Sequence, residues 1–312
     1  MFEGSLRANL WLATPAVVLA LLLVATTGAL APDFLTAGNL ANLVSRLPPL
    51  GLAALGEAIT LIAGRIDLSV GSILSLATAT MALTSDRLGW FAAPLTLALG
   101  ALCGGFTALG IVWLRINPLV MSLATAAIVK GATLLLLPSP GGEVDYSFYS
   151  LLYEPEQIFG PPLLVSAAIY LLFIVILGWT RFGRRLYAFG SDSRAAVANG
   201  VIGGKADFAV YGLCGFFAAL AGIFLSVRIL SGDPLIGESY TLDAVSAAIL
   251  GGVALQGGRG HLVGVFFAAL ALVLINNSFN LLGLDTHLQV IAKGLVFVLA
   301  LMFFTRGKAA EA

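Results

Sequence analysis

The sequence predicts an all-α polytopic membrane protein, and three observations carry that prediction. Hydrophobic residues make up 59% of the 312 and charged residues 10%, with a mean hydropathy of +1.01. Soluble domains carry roughly 25% charged residues, so this chain lacks the polar side chains to cover a water-facing globule. The apolar residues also fall in runs long enough to cross a hydrocarbon core about 30 Å thick, which takes about 20 residues. Finally, the runs lack the short alternating pattern of barrel strands. In lipid every backbone group must bond within its own segment, and long apolar runs do so as helices. The 36 glycines suit close helix–helix packing.

Apolar runs predict ten spans, over residues 10–31, 43–63, 70–84, 92–114, 119–137, 162–179, 207–228, 241–255, 262–282 and 287–304. The first resembles a signal peptide, but Pro32 follows the cleavage-like Ala29-Leu30-Ala31 and the run is long enough to span, so it reads as an uncleaved helix. The third and eighth are short and read as broken or partly re-entrant.

Basic residues set the direction. With the N-terminus inside, Arg7, Arg65, Arg115, Arg181, Arg184, Arg185, Arg194, Lys205, Arg259, Arg306 and Lys308 lie inside, and only Arg46, Arg87 and Arg228 outside. Both termini are therefore expected in the cytoplasm. The longest external loop, 138–160, carries Glu143, Asp145, Glu154 and Glu156 and no basic residue. Ile128-Val129-Lys130-Gly131 in the fifth span resembles Ile291-Ala292-Lys293-Gly294 in the tenth, which suits two inverted five-helix halves.

Several functions are excluded or left without support. Net charge is zero and the pI about 6.7, which gives no ground for a nucleic-acid partner. Cys103 and Cys214 lie inside apolar runs, with neither disulfide nor metal spacing. His261 and His287 are far apart, and no catalytic or metal motif appears, so no enzyme chemistry and no cofactor are expected. Gly204-Lys205 lacks the rest of a nucleotide-binding loop, with Asn199 and Ala206 at its required positions. Any ATP chemistry belongs to another chain.

Three stretches stand out against the apolar background. GRIDLSVGS, residues 64–72, sets an arginine, an aspartate and two serines between apolar runs. It reads as a tight cytoplasmic turn, with Asp67 or Ser69 capping the next helix, and equally as a pair of broken helix ends facing a pathway. RFGRRLYAFGSDSRAAVANGVIGGKA, residues 181–206, holds five of the sixteen basic residues. Ser191 or Asp192 is placed to cap a short helix that Gly200 ends. It reads as a topogenic basic loop or as a docking element. GGVALQGGRGHLVG, residues 251–264, reads as close packing of the eighth and ninth spans, with Arg259 at the cytoplasmic face.

Glu57, Lys130 and Lys293 are intramembrane charges, each costing roughly 2.5–3.5 kcal/mol at a helix centre. Glu57 is expected to pair with Lys130 or Lys293. Asn276, Asn277, Asn280 and Gln289 are placed for bonds between helices or to a polar solute.

Together these motifs resemble the permease subunit of bacterial ABC sugar importers of the ribose type. The resemblance rests on GRIDLSVGS (64–72), RFGRRLYAFGSDSRAAVANGV (181–201), LDAVSAAILGGVALQGGRGHLVG (242–264), NNSFNLLGL (276–284) and VIAKGL (290–295), and spans about residues 35–304. The chain departs from the family at Arg65, near Glu57, and at Ala254 and Gln256. The resemblance implies one transmembrane domain over residues 1–312, with 181–206 as its cytoplasmic coupling loop. It implies a bacterial inner-membrane location and three kinds of partner: a second permease, ATP-binding cassette subunits and a periplasmic sugar-binding protein. Coupling to the ATPase falls on Arg185, Ser193, Arg194, Ala195, Ala196 and Gly200. The translocation pathway falls on Glu57, Asp67, Ser69, Asn276 and Asn280. A stand-alone secondary transporter or channel for a small polar solute is the alternative.

Overall fold

The computed structural model describes residues 14–153, 160–285, 287–292, 294, 295 and 298. Twelve α-helices follow one another among these residues: α1 (Thr14–Leu30), α2 (Ala37–Ile62), α3 (Val70–Leu88), α4 (Ala92–Val112), α5 (Pro118–Leu136), α6 (Tyr146–Leu152), α7 (Pro161–Trp179), α8 (Arg181–Ser191), α9 (Ser193–Ala198), α10 (Gly203–Ile229), α11 (Gly237–Leu250) and α12 (Leu262–Leu281). The one extended pairing among the described residues is an isolated bridge between Gly141 and Gly232. The tenth expected span falls largely outside the described residues, and Lys293 lies outside them.

Among the described residues, five stretches are long and apolar enough to cross a membrane: 70–112, α5, α7, α10 and α12. The first of these holds two helices, because a 3-10 turn over Gly89–Phe91 folds α4 back onto α3. The helices divide by position. α10 is the central element, packed against α4, α2 and α3, while α12 packs on α1, α2 and α11. The outward faces of α4, α5 and α7 stay apolar and exposed, with Leu102 at 68%, Leu135 at 86% and Leu171 at 64%. A helix that is apolar on its outer face as well as its inner one is solvated by lipid, not water.

Local signals explain most boundaries. Thr36 caps α2, Asn117 caps α5, Asp145 caps α6 and Thr180 caps α8, each side chain accepting a first-turn N–H. α3 is one unbroken helix of 19 residues, so the expected interruption lies before it and not inside it. α11 begins at Gly237, four residues ahead of the expected eighth span, and has 14 residues. At about 1.5 Å per residue it is too short to cross the core.

α3 and α11 meet at their first turns. A Cβ on Gly71 would stand 2.1 Å from the Gly237 carbonyl oxygen, and one on Gly237 would stand 1.9 Å from that of Gly71. Only hydrogen fits between the two backbones, which is the small-residue contact of membrane helices taken to its limit. Gly71→Ala is therefore expected to cost at least about 1–3 kcal/mol, read as a lower Tm and a loss of monodisperse protein. Gly105→Ala, at a helical position with open space around it, should keep the wild-type Tm or raise it slightly.

Candidate functional site

The polar stretch 63–69 joins α2 to α3 without leaving the bundle. Gly64 adopts φ +71° to start the reversal, and Arg65 N–H donates back to the Thr60 carbonyl at 2.9 Å. The chain then runs up along α2. Asp67 N–H reaches Glu57 Oε1 at 3.4 Å, and Tyr211, two turns inside α10, donates its O–H to the Ile66 carbonyl at 3.3 Å. Asp67 Oδ1 accepts Ser69 N–H at 2.9 Å and Ser69 O–H at 2.6 Å, opening α3. Glu57, Asp67 and Ser69 are all 0% exposed. Irregular backbone persists among apolar helices only when side chains take up its polar groups, and these residues do so.

A second break has the same construction. After α10, Leu230 turns left-handed and residues 230–236 lead into α11. Asp233 Oδ1 accepts the N–H groups of Leu235 and Ile236 at 2.9 and 3.1 Å. Thr78 bonds both the N–H and the carbonyl of Asp233, and Ser75 Oγ accepts Gly237 N–H at 2.9 Å. In sequence the two breaks read Asp67-Leu68-Ser69-Val70-Gly71 and Asp233-Pro234-Leu235-Ile236-Gly237, with hydroxyls four residues on at Ser75 and Thr241. Each hydroxyl lies against the glycine of the other break.

The segment 181–206 forms two helices. α8 buries Gly183, Leu186, Phe189 and Gly190 and exposes Arg181, Arg184 and Arg185. Asp192 caps α9, accepting from the N–H groups of Arg194 and Ala195, and Gly200 follows at φ +88°. Ser193, Arg194, Ala195 and Gly200 are exposed, while Ala196 is buried. A Cβ on Gly190 would stand 1.9 Å from the Ile62 carbonyl, at the end of α2. That carbonyl also accepts Gly258 N–H at 2.8 Å, and Tyr187 donates to the Gly260 carbonyl at 2.9 Å. Burial pushes the Tyr187 phenol up to about 12, so it remains a donor. The glycine-rich loop 251–261 thus seats on α8 and on the first break as well as joining α11 to α12.

Arg65 closes the site. Its Nε donates to Asp207 Oδ1 at 2.8 Å, and its guanidinium lies 5.1 Å from the Phe189 ring centroid. Sequence reasoning missed Asp207, Tyr211 and Glu238. The visible signals were an acid at the start of an apolar run and the repeated Asp-x-x-Val/Ile-Gly pattern. The expected pairing of Glu57 with Lys130 is overturned: Lys130 Nζ pairs with Glu238. Lys130 lies beyond the middle of α5, where it meets the first turn of α11 and not the end of α2. Asn277 joins Asn39 through its amide at 2.7 Å, Asn280 accepts from Gln289 at 2.9 Å, and Asn276 is half-buried on the same helix. The asparagines lie on α12, whereas Glu57, Asp67 and Ser69 gather at the α2–α3 break.

Two helices that each follow a non-helical break and meet at their first turns inside a lipid-faced bundle are a construction found in membrane transport proteins. A family model described as the permease component of the branched-chain amino acid transport system matches residues 39–301. The chain is 34% identical over 306 residues to the ribose import permease protein of Escherichia coli K12, covering 94% of each. It is 35% identical over 300 residues to that of Bacillus subtilis, covering 90% of this chain and 89% of the relative. With the L-arabinose transport system permease protein of Escherichia coli K12 it shares 33% over 293 residues, 92% and 88% of the two chains. No solved structure matches it. The chain belongs to this permease family, among the ribose-type ABC importer permeases.

Asp207→Leu should cost about 2 kcal/mol, because it strands a charged donor that is three-quarters buried. Pairing it with Arg65→Met should recover most of the loss of Tm. A pH effect follows at the start of α12, where His261 Nδ1 accepts Val263 N–H. Burial holds this imidazole below its ordinary range, so the folded chain binds fewer protons here than the unfolded one. The contribution is present above the ordinary value of about 6.5 and is lost as pH falls below it. Thermal stability should drop between about pH 7 and pH 5, and less so in His261→Asn, which keeps an acceptor at the cap.

Proposed function

We propose that this chain is the membrane-spanning subunit of an ATP-driven, binding-protein-dependent importer that moves a monosaccharide or related polyol inward by alternating access. The substrate class is supported by the ribose and arabinose permeases to which the chain is similar over almost its whole length. The subunit works with a second permease, ATP-binding cassette subunits and a periplasmic binding protein, in a bacterial inner membrane with both termini cytoplasmic. Ten spans in two inverted halves are supported by the paired breaks. α2, the first break and α3 correspond to α10, the second break and α11, and Gly71 meets Gly237 where a two-fold axis relating them would pass.

One observation carries the coupling mechanism. α9 exposes Ser193, Arg194 and Ala195, and Gly200 is exposed just beyond it, while its base α8 touches the end of α2 at Gly190. Force applied to α9 by a closing ATPase passes through α8 to Ile62, and from there into the break that carries Asp67 and Ser69. Arg185, on the exposed face of α8, extends the contact. The break opens or closes the path between α2, α3 and α11. The asparagines at 276 and 280 provide weak polar contacts that release solute readily.

Gly200 has open space around it, so replacing it acts through its backbone and not through a clash. A left-handed φ costs a β-branched residue about 1–2 kcal/mol. Gly200→Val should therefore leave membrane insertion normal and sharply reduce ATP-dependent uptake in proteoliposomes containing the ATPase and binding protein. Wild-type uptake by that variant would remove the coupling role. Uptake driven by an ion gradient with no ATPase would favour a stand-alone transporter.

A further inference from the structure

The expected direction of the spans leaves Arg46, Arg87 and Arg228 as the basic residues on the outer side, and the structure brings two of them together. Arg46 Nε in α2 donates to Asn42 Oδ1 at 3.1 Å, and Arg228 Nη2, in the last turn of α10, donates to the same oxygen at 3.2 Å. Both arginines are half-buried. Two guanidinium groups on one amide oxygen repel each other, and a neutral acceptor offsets little of that repulsion. The ion pairs formed among the described residues, Arg65 with Asp207 and Lys130 with Glu238, include neither of them. The groups within electrostatic reach of Arg228 are Arg46 and the phenols of Tyr153 and Tyr240, and phenols are neutral at pH 7. Asp243, one turn further along α11, faces Tyr240. Each guanidinium has five N–H donors, and the shared oxygen takes one from each.

Arg228 and Asn42 line a cavity of about 290 Å³ at the end of the bundle where α2 and α7 begin and α10 finishes. Arg46 adds its charge from the next turn of α2. Tyr149 and Tyr153 form one wall, their rings stacked at 5.8 Å, and Tyr153 is fixed by its O–H bond to the Phe224 carbonyl at 3.1 Å. Leu152 and Leu163 make the wall apolar beside them. Small-molecule sites begin at about 300 Å³, so the space suits a headgroup and not a whole lipid. Leu163 faces the cavity, while Leu164 and Val165, next in α7, are 58% and 41% exposed on its outward face. The cavity therefore borders the surface that lipid covers. Tyrosines at such a border lie at headgroup level.

We propose that Arg46, Arg228 and Asn42 form a binding site for the phosphate of an anionic phospholipid headgroup. Guanidinium forks match the two non-bridging oxygens of a phosphodiester, and the Asn42 amide adds N–H donors. A headgroup with net negative charge, such as phosphoglycerol, answers the surplus of positive charge, whereas choline would bring a third cation beside two. The tyrosines and leucines cover the glycerol, and the acyl chains pass over the outward face of α7. The bound phosphate removes the repulsion between α2 and α10, which lead into the two breaks, and so holds them together. In the orientation proposed above the lipid belongs to the outer leaflet. Only that assignment rests on the orientation; the binding chemistry depends neither on it nor on the transported solute.

Native mass spectrometry and thermal unfolding of the purified full-length chain in neutral detergent test it, with phosphatidylglycerol and phosphatidylcholine as probes. The wild-type chain should bind phosphatidylglycerol at least about tenfold more tightly than phosphatidylcholine and unfold at a higher Tm with it. Arg46→Gln combined with Arg228→Gln should remove the preference, and Arg87→Gln should keep it. The wild-type comparison needs no variant to fold. The proposal is overturned if the wild-type chain does not distinguish the two lipids, which is the result if a partner protein supplies the anion as a carboxylate. It is overturned if the double variant keeps the preference, or if inorganic phosphate binds as tightly as phosphatidylglycerol, which would make this a site for free phosphate. Glu154 and Glu156 lie outside the described residues; if Glu154→Gln with Glu156→Gln raises the affinity for phosphatidylglycerol at least about tenfold, those acids are the arginines' partners and the proposal falls.

Discussion

Everything in this structure depends on how an apolar bundle accommodates a stretch of backbone that is not helical. A peptide group without a partner costs several kcal/mol in hydrocarbon, and residues 63–69 interrupt the ladder among helices that have almost no polar atoms to lend. The cost is met locally. Thr60 and Leu61 take the first N–H groups, Glu57 and Asp67 the next, and Tyr211 reaches in from α10 for the Ile66 carbonyl. Each donor or acceptor sits where α2, α10 and α3 already touch. Satisfying the break and packing the bundle are therefore the same event.

That constraint explains the glycines and small residues. Backbones must come within direct contact for α3 and α11 to begin side by side, so Gly71 and Gly237 face one another with no side chain between them. The same logic holds at the C-terminal end of α2, where Gly190 of α8 lies on the Ile62 carbonyl that Gly258 also bonds. An amphipathic helix with exposed arginines is thereby joined without slack to a buried acidic break. The joint is made of main chain, so no side-chain rotamer separates the two elements.

The two breaks are alike in construction and unlike in setting. Asp67 is sealed from solvent, whereas Asp233 is half-exposed and borrows Ser75 and Thr78 from α3. One break therefore keeps its acid inside, and the other turns its acid toward the surface.

The sequence by itself determined the class, the apolar character of the long helices and a short capped helix expected over Ser193–Asn199, which runs over Ser193–Ala198. These depend on composition, run length and residues a few positions apart, which hydrocarbon thickness and hydrogen-bond geometry make legible. It also marked 64–72 as exceptional, because polar residues between long apolar runs need a reason. Only the tertiary structure decided the partners. Arg65 meets Asp207 across 142 positions and Gly237 meets Ser75 across 162, while Lys130 turns from the expected Glu57 to Glu238. Span periodicity does not specify which helices become neighbours. That choice follows from where backbones can approach most closely, a property of the assembled bundle and not of any one segment.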